Sequence, residues 1–348
     1  MNNVYLRVNV GYEIYLYMHE HQLNVTVPAY DIFNKQCLDL VIERGTYSFS
    51  ILGKRYTLQT QNPGHYIFET FNRSDISQVA EQIKPNLYYK SSTKIERAQL
   101  LQEEYERSIS NDIKLTFAYS EKEKILLHEY SKIWSWLDYG SELSSVISIM
   151  DWLNSHVKHN GYVVLPRNQT ACELLQLSEN RFHNQMSCRG LAIIASEMCL
   201  SVGLTSRIVF CMQKETEIND CHVVYEVFIQ NLNKWVMFDP SYNVYLLDDQ
   251  GIPLSVWEVR TLLSEEPQRI NFNSGANYLG RKLSQQLYLR SLIRKFYRFI
   301  IPKDSYEGCC TRSEMYELVP STKSYQKENV TLVDNPDIFW RPPYSGRW

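Results

Sequence analysis

The segment MSCRGLAIIASEMCL, at residues 186–200, constrains the fold more than any other part of the chain. It places Cys188 after a polar residue and directly before an apolar run with helical periodicity, and Gly203 follows where helices commonly end. The next segments have the composition of β-strands, and they read SRIVFCM, HVVYEVFIQ and KWVMFDPSY. The order predicts one helix followed by three strands, the last two of which form a hairpin around Asn-Leu-Asn.

Cys188 is placed where a helix start would activate a thiol. Ser187 is a candidate N-cap, and the unpaired amide N–H groups of a first helical turn stabilise both a thiolate and an oxyanion. His222 opens one predicted strand and Asp239 lies late in the next. Acyl transfer requires a thiol, a histidine that accepts its proton and a carboxylate that orients the histidine.

The register of the hairpin decides whether His222 and Asp239 meet. A turn symmetric about residues 232–233 leaves the two side chains on one face but roughly 13 Å apart along the strand. In that register Glu226 lies opposite Asp239 and is a second candidate for orienting the histidine. A turn at residues 230–231 brings His222 and Asp239 directly opposite each other. The sequence leaves both registers open.

This window resembles the core of the transglutaminase-like superfamily over roughly residues 145–260. The resemblance is carried by a cysteine at a helix start, an arginine in the following strand, a histidine that opens a strand, a tryptophan and an Asp-Pro-Ser triplet: Cys188, Arg207, His222, Trp235 and Asp239-Pro240-Ser241. It implies a papain-like α+β core, with helices packed on an antiparallel sheet, and a Cys188–His222–Asp239 triad. The family contains transglutaminases, cysteine peptidases and amidases. For this chain the expected reaction is acyl transfer through a thioester, without a cofactor.

Two features of the window bear on the substrate and on the oxyanion. Val223 follows the histidine, and Ser-Cys-Arg surrounds the nucleophile, where many members have other residues, which predicts a different substrate cleft. Gln185 lies three residues before Cys188 and is the candidate side-chain donor to the oxyanion, beside the backbone N–H of Cys188.

The other histidines are expected to be structural. His156 and His159 have helical spacing, but no acidic or thiolate partner follows at a spacing typical of metal sites, so positions on the surface or at a helix end are favoured. His183 is expected in a loop. No metal or other cofactor is predicted.

The cysteines predict a reducing compartment. The chain has eight of them, no CxxC pair and no amino-terminal pattern typical of a signal peptide, which favours reduced thiols in a cytoplasm. Cys199 and Cys211 are expected to be small buried apolar groups. Cys221 is expected to be structural, because it points to the strand face opposite His222.

The rest of the chain divides by its patterns. The predicted parts are a β-rich module at 1–88, a helical connector at 89–143, the transglutaminase-like core at 144–270, and an amphipathic helix with an extended tail at 271–348. The helix is predicted within residues 281–300, where apolar positions recur with helical spacing. The module or the tail could bind a protein partner.

Three functions compete at this point. The first is a cysteine enzyme, hydrolase or transamidase, acting on the amide bonds of a peptide or protein. The second is a catalytically silent scaffold of the same fold that binds a peptide or protein. The third is an adaptor that uses Arg290, Arg294 and Arg298 on one helix face to bind an anionic membrane or RNA. A net charge of −3 disfavours nucleic acid as a partner, and no apolar run is long enough to span a membrane.

Overall fold

The computed structural model describes the backbone of six strands in residues 5–71, then Tyr105, then residues 113–343 with gaps. Those gaps are residues 162, 164, 166–168, 215–220, 294, 307–313 and 321–328. The chain forms two compact units, Met1–Ile95 and Glu96–Trp348. The finer boundaries predicted at residues 88, 143 and 270 stay predictions.

The first unit is built from antiparallel strands, in agreement with the β-rich composition of its sequence. They are β1 (Tyr5–Val10), β2 (Glu13–Tyr17), β3 (Cys37–Ile42), β4 (Gly45–Ile51), β5 (Lys54–Thr60) and β6 (Gly64–Phe71). Four of them form a sheet in the order β2-β1-β6-β3, and β4 pairs with β5.

The described helices of the second unit begin where the sequence offers a capping side chain. They are α1 (Glu121–Ser131), α2 (Glu142–His156), α3 (Ala171–Arg181), α4 (Cys188–Ser201), α5 (Val256–Glu265), α6 (Gln285–Ile293) and α7 (Pro336–Phe339). Ser120 caps α1, and Thr170 and Glu173 form a capping box at the start of α3. Helix α4 begins at Cys188 as predicted, and Gly203 follows its end with φ +85°.

Helix α2 ends before the first glycine that follows it in the sequence, Gly161. The helix ends at His156, and Val157 already has extended backbone angles. The cause is a short strand that pairs in parallel with the residues just before Cys188. Lys158 N donates to Asn184 O over 2.7 Å, so the backbone must leave the helix to reach it.

The strands of the second unit form mainly one mixed sheet. They are β7 (Lys158–His159), β8 (Gln185–Met186), β9 (Ser206–Met212), β10 (Cys221–Ile229), β11 (Lys234–Asp239), β12 (Val244–Leu247), β13 (Asn271–Phe272), β14 (Asn277–Tyr278), β15 (Arg281–Lys282), β16 (Arg298–Pro302), β17 (Met315–Leu318) and β18 (Val330–Val333). The large sheet has the order β13-β12-β11-β10-β9-β16-β17-β18, and every pair in it except β17–β18 is antiparallel. No described helix is long and apolar enough to cross a membrane.

Two hydrophobic cores cover the two faces of this sheet. Val223, Tyr225 and Val227 of β10 point into a core formed with α1, α2, α3 and α4. Val224 of the same strand points into the other core, formed with α5, α6 and α7. His222 has the parity of Val224, so its side chain starts from the second face. The arrangement is α+β, with helices packed on a mainly antiparallel sheet, as expected.

The end of the chain differs from the prediction. The amphipathic helix stops at Ile293, and Arg298–Pro302 is a fully buried strand that pairs with both β9 and β17. The predicted extended tail contributes β17, β18 and α7 to the fold. A strand buried on both faces has no polar alternation, so its apolar residues simply continued the helical pattern.

The predicted basic face does not form on one helix, because Arg298 lies in a strand. Arg298 is only 3% exposed and forms an ion pair with Glu317 inside the sheet. Arg294 lies outside the described residues. Because Arg298 points into protein, the adaptor hypothesis loses the surface on which it depended.

Glu197 is a buried carboxyl in the middle of α4. Its Oε2 accepts hydrogen bonds from Ala171 N (2.8 Å) and Tyr119 Oη (3.1 Å), and its Oε1 has no partner among the described residues. Burial raises the pKa of this carboxyl to about 8. The side chain is therefore protonated in the folded protein at neutral pH.

We expect Glu197→Gln to flatten the pH dependence of stability. The folded-state pKa lies above the unfolded value of about 4.3, so between the two the folded chain binds more protons. Stability then falls as the pH rises, by up to about 1.4 kcal/mol per pH unit from this group alone. Thermal unfolding from about pH 5 to about pH 8 should show the decline in the wild type and a weaker one in the variant. Glu129→Gln, at an exposed position on α1, should keep the wild-type slope; equal slopes in all three proteins would contradict the protonation of Glu197.

Candidate active site

The β10–β11 hairpin adopts neither of the two registers considered from the sequence. A 3₁₀ turn at Gln230–Leu232 ends in Asn233, whose φ of 50° is tolerated by asparagine. Tyr225 then pairs with Phe238. Continued by one residue on each strand, this register places Asp239 opposite Val224. Val224 is two residues from His222 and on the same face of the strand. Such diagonal neighbours are within reach of a long side chain.

His222 and Asp239 form a buried pair. His222 Nε2 lies 2.6 Å from Asp239 Oδ2, and both residues are buried. The other carboxylate oxygen, Oδ1, accepts a hydrogen bond from Ser241 N over 3.0 Å. The ring nitrogen Nδ1 of His222 is thereby directed away from the carboxylate. Glu226 does not take part, because its carboxylate binds Arg207 instead.

Tyr288 is a third donor to Asp239, and the sequence did not predict this contact. Its hydroxyl donates to Asp239 Oδ2 over 2.8 Å from helix α6, and the whole side chain is buried. The only signal in the sequence was a tyrosine next to the apolar face of α6, and such a residue usually hydrogen-bonds through its hydroxyl when buried. The carboxylate is held from three directions, which fixes the orientation of the His222 ring.

Cys188 is the first residue of α4, at the end of the helix where backbone N–H groups are unpaired. Ser187 occupies the N-cap position, as expected, but its side chain makes no capping hydrogen bond. Burial acts to raise the pKa of the Cys188 thiol, but hydrogen bonds and charge from His159 and His222 outweigh it and lower the pKa to about 5. Burial acts to lower the pKa of His222, but Asp239 and Cys188 together raise it to about 10. Between these values Cys188 and His222 form a thiolate–imidazolium pair.

Three other cysteines, all buried, lack this activation. Burial raises the pKa of Cys172 to about 11 and raises the pKa values of Cys199 and Cys211 as well. The low pKa of Cys188 is thus a property of its surroundings and not of cysteines in this fold.

The position of His159 differs from the prediction. It lies in β7, half-buried and near enough to Cys188 to lower the pKa of that thiol, whereas a surface or helix-end position was expected. The parallel pairing of β7 with β8 brings His159 close to Cys188, and nothing in the local sequence indicates that pairing. His156 is at the end of α2, with its ring 4.1 Å from that of Trp152, and His183 is exposed in a loop, as predicted.

Gln185 lies on β8, close to the start of α4. Its Oε1 accepts a hydrogen bond from Asn160 Nδ2 over 2.5 Å, which fixes which end of the amide acts as a donor. Its role as an oxyanion donor stays a prediction. Among the described residues, no group of three or more His, Cys, Asp or Glu side chains could hold a metal ion.

A known protein family matches the part of the chain that contains the site. The profile of the "Transglutaminase-like superfamily" matches residues 137–240, which include Cys188, His222 and Asp239. The match confirms the resemblance found in the sequence. No curated protein matches the chain.

The solved structures that this chain resembles match it only weakly. A proposed cysteine protease from Cytophaga hutchinsonii is 12% identical, with a TM-score of 0.28 over 78% of this chain and 86% of that chain. A TGase is 12% identical, with a TM-score of 0.25 over 63% of this chain and 55% of that chain. The periplasmic domain of TgpA from Pseudomonas aeruginosa is 13% identical, with a TM-score of 0.25 over 70% of this chain and 88% of that chain.

Proposed function

We propose that the transglutaminase-like segment of this chain, residues 137–240, carries out cysteine-dependent acyl transfer on amide bonds of a peptide or protein. The observation that carries the proposal is the buried His222–Asp239 pair, with its 2.6 Å hydrogen bond, beside a thiol at a helix start whose pKa is lowered to about 5. A structural cysteine has no need of such surroundings, and perturbed pKa values of this kind concentrate at functional sites.

The first half of the reaction forms a thioester. The Cys188 thiolate attacks the amide carbonyl carbon, a C–S bond forms, and the π electrons of the carbonyl move to its oxygen. The backbone N–H of Cys188 at the start of α4, with Gln185, stabilises the oxyanion. The His222 imidazolium then gives its proton to the amide nitrogen, the C–N bond breaks and the amine leaves. Asp239 keeps the imidazole oriented throughout.

The second half of the reaction returns the free enzyme. His222, now neutral, removes a proton from the acyl acceptor, which attacks the thioester carbon, and the C–S bond breaks to release the thiolate. Water as the acceptor gives hydrolysis, and an amine gives transamidation. Neither route changes an oxidation state, so neither needs a redox cofactor.

The state of the thiols supports a cytoplasmic location for this chemistry. Five cysteines, Cys188 among them, are in no disulfide bond. A reducing compartment keeps such thiols from forming disulfides. The proposed nucleophile would remain available there without a partner protein to reduce it.

The test is the rate of alkylation by iodoacetamide as a function of pH, with peptide mass mapping, in wild type and His222→Ala. Cys188 in the wild type should stay reactive several pH units below the usual thiol pKa of about 8.5. In His222→Ala its reactivity near pH 6 should fall on the order of 100-fold, as the thiolate fraction drops. Cys221 is the internal reference, since it is partly exposed and next to His222 in the sequence.

One outcome favours the alternative function. If folded wild type alkylates Cys188 no faster than Cys221, the thiol is not activated and the enzyme hypothesis is wrong. The chain would then be a catalytically silent transglutaminase-like scaffold that binds a peptide or protein partner.

A further inference from the structure

His159 is fixed beside the nucleophile by the backbone. It stands opposite Met186 in the parallel pairing of β7 with β8, two residues before Cys188. The next residue, Asn160, donates its backbone N–H to Met186 O over 2.8 Å, and Lys158 N donates to Asn184 O over 2.7 Å. These bonds on both sides of His159 make its position as definite as that of a residue inside a regular sheet.

A second element holds the ring of His159. Tyr278 Oη lies 3.2 Å from His159 Nδ1. Tyr278 belongs to the β14–β15 hairpin, whose tip, Leu279 and Gly280, has φ values of 52° and 80°. Two successive positive φ angles are typical of the tight type I′ turn, which fits the twist of the strands it connects. The hairpin lies outside the residues that the family profile matches.

The two imidazoles converge on one sulfur but are not equivalent. The ring of Tyr242 lies 5.9 Å from the His222 ring and 6.2 Å from the His159 ring, between centroids, so both histidines border the same small space. Both lower the pKa of the Cys188 thiol. His222 has a carboxylate, Asp239, on its far nitrogen, whereas His159 has the hydroxyl of Tyr278.

This difference fixes the proton on His159. A thiolate only accepts hydrogen bonds, so His159 must present an N–H group to the sulfur. In the neutral ring that donates through Nε2, Nδ1 has no proton and accepts from the hydroxyl of Tyr278, 3.2 Å away. His159 is in this state a hydrogen-bond donor and not a proton acceptor, which leaves the proton transfers to His222.

We propose that His159, oriented by Tyr278, is a second catalytic histidine that donates a hydrogen bond first to the Cys188 thiolate and then to the oxyanion. The inference rests on the proposed acyl-transfer function. As the C–S bond forms, negative charge leaves the sulfur and appears on the carbonyl oxygen. The Nε2–H bond of His159 follows that charge from sulfur to oxygen, and no proton leaves the ring.

Two probes separate the two parts of this role. Iodoacetamide reacts with the thiolate by displacement and forms no oxyanion, whereas p-nitrophenyl acetate acylates the thiolate through a tetrahedral oxyanion. In His159→Ala the pH midpoint of Cys188 alkylation should rise by about one unit, because one donor to the thiolate is lost. At a pH one unit above each protein's own midpoint, the wild type and His159→Ala should be alkylated at similar rates. The burst of acylation by p-nitrophenyl acetate should be about 100-fold slower in His159→Ala than in the wild type.

Conservative variants and a control sharpen the test. His159→Gln keeps an N–H donor and should recover part of the acylation rate, and Tyr278→Phe should shift both readouts in the same direction by less than His159→Ala. His183→Asn replaces an exposed loop histidine with a residue that tolerates its φ of 51°, and should change neither readout. Circular dichroism identifies any variant that fails to fold, and Tyr278→Phe then carries the test.

Failure of this inference is distinguishable from failure of the proposed function. If wild-type Cys188 is activated but His159→Ala and Tyr278→Phe leave the midpoint or the normalised acylation rate unchanged, His159 is not a donor in catalysis and the proposal is overturned. If wild-type Cys188 is not activated at all, the proposed function itself fails first.

Discussion

Replacing Glu226 by glutamine is expected to lower the free energy of unfolding by about 3–5 kcal/mol, because it leaves the charge of Arg207 buried without a counter-charge. The two side chains are completely buried and joined at 2.8 Å. Arg207 also lies 4.1 Å over the ring of Trp235 and donates to Phe339 O, so it cannot turn to solvent without breaking the contact with α7. Chemical denaturation with urea measures the loss directly.

A matched exposed pair gives the control for this prediction. Asp249 binds Arg269 over 3.1 Å at the surface, and Asp249→Asn removes one charge by the same chemical change. Exposed pairs contribute little to stability, so no shift of the urea midpoint is expected. Should Glu226→Gln unfold at the same urea concentration as Asp249→Asn, the Arg207–Glu226 pair would have to be hydrated and not buried.

A double variant separates the unpaired charge from lost packing. Arg207→Met in the Glu226→Gln background removes the buried charge and retains a long apolar side chain against Trp235. Part of the lost stability should return, because most of the cost of breaking a buried pair lies in the charge left behind. A double variant less stable than Glu226→Gln would show instead that the contacts of Arg207 with Trp235 and Phe339 dominate.

Local sequence rules were sufficient for the elements that carry Cys188, His222 and Asp239. Helix α4 has a defined start, an apolar helical period and a glycine at its end, and β9 and β10 are separate apolar runs. The hydrophobic period and the residues at the ends of these elements therefore predicted which were helix and which were strand. The hairpin register did not follow. It depends on a 3₁₀ turn that ends at Asn233, which has a left-handed backbone conformation, and several turn geometries are compatible with the same sequence.

The missed residues share one physical cause. His159, Tyr278 and Tyr288 reach the site through pairings between segments that are far apart in sequence, and each lies on a short or ambiguous element. A two-residue strand such as β7 has no period to detect. Strand β16 was missed for a related reason, since burial on both faces removed the alternation that identifies a strand. Periodicity in the sequence therefore predicts the elements that carry the proposed nucleophile and base, whereas the hydrogen-bond partners around them depend on tertiary structure.

Asp239→Asn is expected to lower the rate of acyl transfer by about 10²- to 10⁴-fold and to move the alkaline edge of activity to lower pH. In the wild type the thiolate–imidazolium pair exists between the pKa of Cys188, about 5, and that of His222, about 10. Burial alone would lower the pKa of His222, and the charge and hydrogen bond of Asp239 raise it. Without that carboxylate, the imidazolium loses its proton at a lower pH, and the proton that the leaving amine needs is no longer available.

The control for this prediction is the other donor to the same oxygen. Tyr288→Phe removes the 2.8 Å hydrogen bond to Asp239 Oδ2 but keeps the carboxylate and its charge. We expect it to retain an alkaline edge near that of the wild type, because the attraction between His222 and Asp239 remains.

The measurement is the pH dependence of kcat/KM with an amide or ester substrate, together with the alkylation profile of Cys188. If Asp239→Asn kept the wild-type alkaline edge, Asp239 would not be the group that holds the proton on His222, and the assignment of the triad would be wrong at that residue. If both variants moved the edge equally, the position of the carboxylate, fixed by Tyr288, would matter as much as its charge.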